Sequence, residues 1–314
     1  MQFFPLPMLA GSLVALFLTG CSTTSESTTR VLPNKLSDNC KSAISRKKYA
    51  EAFNYCSRDA DQGIPLAQFN VGLMYQNGHG VNKDIGKAVE LFEKAAKNND
   101  AAAKYQLGYL HSKGILNGGP EQVIYWYQQA AEQHYVLAKT SLGIIYVNQG
   151  NLQEAEKLLL SAAKAGDPRA MNYLAIIYLV LDKDKSNDME GFNWAQNGAN
   201  KGNPNAQYYV GMSYGNGYPV EKDINKALYW HSMAASNGNP DSQARMAMIY
   251  YEGKYIKKDL KLAYAFATLS AQQDFQPAYG IRDRIQKSLQ QQEINEALHM
   301  SNNIKKYINL EHFL

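Results

Sequence analysis

Four short stretches carry the residue types of a serine nucleophile served by a lysine base. Ser45-Arg46-Lys47-Lys48 and Ser161-Ala162-Ala163-Lys164 set serine and lysine three residues apart, one turn of a helix. Ser37-Asp38-Asn39 and Lys139-Thr140-Ser141 supply further hydroxyl, amide and ammonium groups. Such chemistry needs the serine beside a base that can take its proton. Here the order and spacing of the four stretches do not converge on one nucleophile. Each also has a structural account: Ser37 can cap a helix, Ser45 ends one, and Ser161 adjoins a pair of small helical residues. The six histidines, His79, His111, His134, His231, His299 and His312, show no ligand spacing, so no metal site is expected. No glycine loop after a strand could cradle a phosphate, so no cofactor is expected. A net charge of +4 with short basic runs gives no ground for nucleic-acid binding. The residues therefore predict a protein that is not an enzyme.

What the residues do show is repetition, the first thing to seek in a chain of 314 residues. A small residue opens each unit at Ala67, Ala103, Ala138, Ala170, Ala206, Ser242 and Ala278. Five residues on come Gly72, Gly108, Gly143, Ala175, Gly211 and Ala247, and three further Tyr75, His111, Tyr146, Tyr178, Tyr214 and Tyr250. A small pair recurs later, as in Ala95-Ala96 and Ala234-Ala235, with a large apolar residue four positions ahead: Leu91, Trp126, Leu158, Trp194, Trp230 and Phe266. In the first helix of a unit these positions share one face. Glycine inside a helix costs about 1 kcal/mol against alanine, so its recurrence predicts close helix approach. Gly78, Gly217 and Gly253 are expected to end first helices, and Asp84, Asp223 and Asp259 to cap second ones. Pro168, Pro204 and Pro240 are expected to break the chain between units.

The pattern resembles the Sel-one-like repeat (SLR), a relative of the tetratricopeptide repeat. The resemblance rests on Ala206, Val210, Gly211, Tyr214, Gly217, Val220, Asp223, Lys226, Ala227, Trp230, Ala234, Ala235 and Gly238, with a matching series from Ala67 to Ala96. It implies an all-α fold, a right-handed α/α solenoid of stacked helix–loop–helix units. The unit at Ala138 departs from the pattern: YVNQGNLQEAEKLL leaves no room for the long inter-helix loop. The unit at Ala170 has an irregular loop, LDKDKSNDME.

Residues 1–20 carry no charged side chain and end in Leu18-Thr19-Gly20-Cys21, which resembles a bacterial lipobox. The resemblance implies a signal peptide over 1–20, cleavage between Gly20 and Cys21, and lipidation of Cys21. Ser22 after the cysteine resembles the outer-membrane sorting pattern, which implies a lipoprotein of the bacterial envelope facing the periplasm. Residues 21–36 read as a Ser/Thr-rich tether, with a reach of about 50 Å when extended. Residues 37–66 read as an atypical N-terminal hairpin that turns near Lys48. Cys40 and Cys56 lie equally far on either side of that turn, so a disulfide is expected, with two buried thiols as the alternative. Six SLR units are expected over 67–277, C-terminal capping helices over 278–302 with a capping box at Ser288 and Gln291, and a tail over 303–314.

The expected function follows from shape. A solenoid of this kind is expected to be a scaffold or adaptor for protein or peptide ligands, in the envelope or against a host factor, tied to a membrane by its lipid. Tyr105, Tyr173, Tyr208 and Tyr209 sit at first-helix positions where the repeat does not demand tyrosine, so they are candidates for the binding surface. Cysteine-rich SLR relatives suggest the alternatives, β-lactamase-like or penicillin-binding activity; a peptidoglycan binder is a third reading.

Overall fold

Aspartate, asparagine, proline and glycine mark the helix ends of this chain. The computed structural model describes residues 34–182, 186–308 and residue 310. Among these residues there are sixteen α-helices and no strand. A first hairpin joins α1 (Asp38–Ser45) to α2 (Tyr49–Asp61). Units 1 to 3 follow as α3 (Pro65–Asn77) with α4 (Ile85–Lys97), α5 (Ala101–Ser112) with α6 (Gly119–Ala131), and α7 (Val136–Asn148) with α8 (Leu152–Lys164). Units 4 to 6 are α9 (Pro168–Ile176) with α10 (Asp188–Asn200), α11 (Pro204–Asn216) with α12 (Ile224–Ser236), and α13 (Pro240–Glu252) with α14 (Leu260–Ala271). Then α15 (Gln276–Gln286) and α16 (Gln291–Ser301) follow. None of the described helices is long and apolar enough to cross a membrane.

The helix ends follow from residue chemistry. Gly78, Gly217 and Gly253 close first helices at φ of 73°, 73° and 70°, a left-handed conformation that glycine adopts without strain. Asp84, Asp223 and Asp259 accept the N–H groups of Lys87, Lys226 and Leu262 at 3.0, 2.9 and 2.9 Å. The prolines act differently from the expectation. Pro168, Pro204 and Pro240 are the first residues of α9, α11 and α13, not breaks between units. Proline loses nothing there, because the first helical N–H has no partner within the helix. The capping box of α16 is also displaced, to Gln290 and Glu293, whose carboxylate accepts the Gln290 N–H at 2.8 Å. Ser288 is taken up by the turn that ends α15, where its N–H bonds the Ile285 carbonyl.

Each unit packs around one matched pair. A Cβ on Gly72 would lie 2.6 Å from Phe92 Cε1, on Gly108 2.7 Å from Tyr127 Cδ1, on Gly143 2.7 Å from Leu159 Cγ, and on Gly211 3.1 Å from the His231 ring. Where the glycine is replaced by Ala175 or Ala247, the same position of the second helix is Ala195 or Ala267, in the same buried clusters. A large side chain thus faces each glycine and a small one faces each alanine. The residue that fills the unit is therefore Phe92, Tyr127, Leu159 or His231. The preceding Leu91, Trp126, Leu158, Trp194 and Trp230, expected as core fillers, are half-buried, and of that series only Phe266 is fully enclosed. One step along a helix turns the side chain by about 100°, enough to carry a residue from the centre of a face to its edge.

Polar clamps bind one unit to the next. The side chains of Gln68, Gln207 and Gln243 donate to the carbonyls of Ala60, Ala199 and Ala235 at 3.4, 3.2 and 3.1 Å. All three glutamines are buried, so the bonds replace water lost at the seam. Asn237 and Gln273 extend the series by donating to Gln207 and Gln243. First helices of successive units also touch directly, α7 with α9, α9 with α11 and α13 with α15. They form a wall on which side chains from neighbouring units meet. At the N-terminal hairpin the structure joins Cys40 and Cys56 in a disulfide, with their Cα atoms 5.0 Å apart. Ser37 caps α1 through Cys40 N–H, and its own N–H donates to the buried carboxylate of Asp59 at 2.8 Å.

Candidate protein-binding surface

Tyr208 and Tyr209 follow one another on α11, with ring centroids 5.2 Å apart. Together with Leu179, Val180, Met212 and Tyr218 they line a cleft of about 350 Å³. One side of the cleft is formed by Leu179 and Val180, in the π-helix Ile177–Leu181 that continues α9. The wider turn leaves Val180 56% exposed, beside the tyrosines. Beneath it, a Cβ on Gly191 would lie 2.8 Å from Tyr178 Cβ, so only glycine lets α10 approach. Burial pushes the pKa of both tyrosine hydroxyls up, and the Asp241 carboxylate adds to the shift. Both groups therefore stay neutral hydrogen-bond donors across the physiological range. A cleft of rings, thioether and aliphatic walls with neutral hydroxyls suits a peptide, whose carbonyls need donors and whose side chains need apolar cover.

The other two candidate tyrosines divide. Tyr173 is half-buried on the cluster around Leu159 and Leu174, and it is close enough to Tyr209 to affect its ionisation. It does not line the cleft of Tyr208 and Tyr209. Tyr105 stands apart, stacked on Tyr127 at 5.3 Å and tilted against Tyr135 at 5.4 Å. Its ring joins units 2 and 3. The part of the cleft that sequence reasoning missed is Leu179, Val180 and Met212. The irregular stretch after Tyr178 was the available signal, but irregularity alone does not tell a π turn from a loop.

The four stretches fall in two places: Ser37 and Ser45 in the N-terminal hairpin, Lys139 and Ser161 in unit 3. Ser45 Oγ donates to the Ser42 carbonyl at 2.9 Å, and Lys48 pairs with Glu51. Thr140 donates to the Asp167 carboxylate at 2.7 Å, inside the protein. Lys139 Nζ does reach Ser161 Oγ, at 2.7 Å, but on an exposed face, with His134 Nδ1 3.3 Å from the same nitrogen. Ser45 and Ser37 belong to the N-terminal hairpin, so the four stretches share no site. His231 is a core residue, buried between α11 and α13, and its Nδ1 lies 3.2 Å from Ser242 Oγ. Among the described residues no group of His, Cys, Asp or Glu could hold a metal ion. Gly20 and Cys21 lie outside the described residues.

Stacked helical hairpins define an α/α solenoid, an architecture that works as a protein-interaction scaffold. Its units at 65–100, 101–135, 138–167, 168–203, 204–239 and 240–275 match the Sel1 repeat, and the chain belongs to the Sel1 repeat family. Among curated proteins it is similar to the mouse (Mus musculus) DAP3-binding cell death enhancer 1, with 30% identity over 135 residues, 41% of this chain and 26% of that one. The chain thus spans about a quarter of that relative's length. Among solved structures, a Sel1 repeat protein from Oxalobacter formigenes superposes with a TM-score of 0.70 at 28% identity, over 74% of this chain and 97% of the other. A protective antigen with an SLR fold from uropathogenic Escherichia coli superposes with a TM-score of 0.72 at 24% identity, over 85% and 61%.

Proposed function

We propose that this protein is a lipid-anchored scaffold of a bacterial envelope, moored through Cys21 to the outer membrane and facing the periplasm, that gathers proteins or peptides on its wall of first helices. The observation that carries the reading is the Tyr208–Tyr209 cleft, where aromatic faces and neutral donors sit half-exposed beside Val180 and Met212. A mouse relative named for binding another protein supports it. The Cys40–Cys56 bond supports an oxidising compartment.

Two measurements test it. A photo-crosslinking residue at Met212 in intact cells should capture a discrete partner, and the Tyr208→Ala, Tyr209→Ala variant should lose it while keeping its melting temperature. Capture that persists in that variant, or its wholesale unfolding, would remove the cleft from the reading. Cys21→Ser should move the protein from the membrane to the soluble fraction; unchanged fractionation would refute the anchor.

A further inference from the structure

Each full inter-helix loop packs over the start of the second helix of the unit before it. His79, in the loop of unit 1, stacks on Tyr49 at the start of α2 with centroids 4.5 Å apart. Leu116, from unit 2, packs against the cluster that Ala88 and Phe92 of α4 share with Leu107 and Leu110 of α5. Tyr218, from unit 5, bonds to Asp188, the first residue of α10. Tyr255 and Ile256, from unit 6, share a cleft with Asn225 and Leu228 on α12.

Unit 3 has no such loop. Residues 149–151 alone join α7 to α8, where 78–84, 217–223 and 253–259 make the corresponding links elsewhere. At the start of α6, the place its loop would cover, lies a cleft of about 610 Å³. Val123 and Ile124 of α6 and Ile144 and Ile145 of α7 line it; the lining contains no Asp, Glu, Lys or Arg, and its one imidazole, His111, keeps a buried Nδ1 without a hydrogen-bond partner. Tyr127, Ser112 and Ser141 add hydroxyl groups to the lining.

We propose that this cleft docks an uncharged loop or extended segment of a partner protein, which places an aromatic or branched aliphatic side chain where the missing loop would lie. The four equivalent places name the occupant: each is held by a loop that presents His, Leu, Tyr or Ile. The uncharged lining disfavours a charged side chain, which would lose its hydration without a partner. The serines and Tyr127 offer hydrogen bonds to a phenol or a backbone amide. The proposal rests on the scaffold reading but uses a different surface from the Tyr208–Tyr209 cleft.

The test uses the whole protein with labelled isoleucine methyl groups and two probes: N-acetyl-tyrosine amide, and the peptide Gly-Asn-Gly-Tyr-Pro-Val, the chain's own residues 215–220. Both should shift the methyl signals of Ile124, Ile144 and Ile145 in a saturable way. Ser141→Phe, which fills the cleft, should weaken binding at least about tenfold, a change of about 1.4 kcal/mol. A second variant, with 149–151 replaced by the 217–223 loop, should abolish binding and raise the melting temperature. Absence of methyl shifts, or shifts that survive both variants, overturns the proposal. So does a dimer that Ser141→Phe dissolves, which would make a second copy the occupant, or a plain alkane that binds more tightly than the peptide. An envelope crosslink at Met212 that is lost in the Tyr208→Ala, Tyr209→Ala variant and kept by Ser141→Phe tests the scaffold reading alone, so missing methyl shifts beside it would sink this site and leave that reading standing.

Discussion

At the junction of units 2 and 3, Tyr127 fills the space beside Gly108 and shares an apolar cluster with Ala138. At the junction of units 5 and 6, His231 fills the space beside Gly211 and hydrogen-bonds to Ser242. The positions are the same: in each case the filler lies eleven residues ahead of the small residue that opens the next unit. One junction is mainly apolar and has no loop beside it; the other is polar, clamped by Gln243 and flanked by its loop. The difference teaches that the repeat preserves a fit between partners rather than residue types. Volume can move from one helix to its neighbour, and a hydrogen-bonded pair can stand where an apolar pair stands elsewhere, provided both members change.

That rule can be broken most forcefully in unit 3. Leu159→Ala should cost about 2–5 kcal/mol, and Gly143→Ala about 1–3 kcal/mol by overpacking. The double variant, which recreates the Ala175–Ala195 arrangement, should cost clearly less than the sum; strict additivity in urea unfolding would break the comparison. Gly211→Ala should be milder than Gly143→Ala, because its Cβ would stand 3.1 Å from a ring rather than 2.7 Å from Leu159 Cγ.

Next in size comes the polar pair. His231→Phe restores the unit 1 filler but leaves the Ser242 hydroxyl buried and without its partner, at a cost of about 1–3 kcal/mol. Adding Ser242→Ala should recover most of that loss. If the double variant is no more stable than the single one, the pair is not a unit.

The smallest effect at mild acidity is the pH dependence. Burial, reinforced by Arg245 on α13, lowers the His231 pKa from 6.5 to about 3. Below pH 6.5 the unfolded chain takes up a proton that the folded chain refuses. Stability contributed by His231 is thus whole above that pH and falls as the solution is acidified toward pH 3. The loss is about 1 kcal/mol at pH 6 and grows below it. Thermal melts of the wild type should fall more steeply with acid than those of the His231→Phe, Ser242→Ala variant, and parallel curves would refute the assignment.

Much of this architecture was legible in the chain, and the reason is local. Asp84, Gly78 and their counterparts act through their own backbone, so their roles survive without knowledge of neighbours. The short link in unit 3 was legible for the same reason, as a missing stretch. Which of two adjacent apolar residues points inward was not. Leu91 and Phe92 both fall within the apolar face of α4, and only contact with Gly72 selects between them. The tyrosines of the candidate cleft were legible as departures from the repeat, but not their grouping. That depends on the π turn after Ile176, an extra residue absorbed inside a helix, and on which unit each ring leans against.

The N-terminal hairpin has a mechanical consequence. The chain enters the solenoid at Asn34, whose side chain accepts the Leu66 N–H, and passes through the buried Leu36 to α1. Any tension that arrives from ahead of residue 34 reaches Cys40 and crosses directly to Cys56, so the turn between them never carries load. Such a hairpin cannot be peeled apart by pulling. Only reduction of the Cys40–Cys56 bond would open that path.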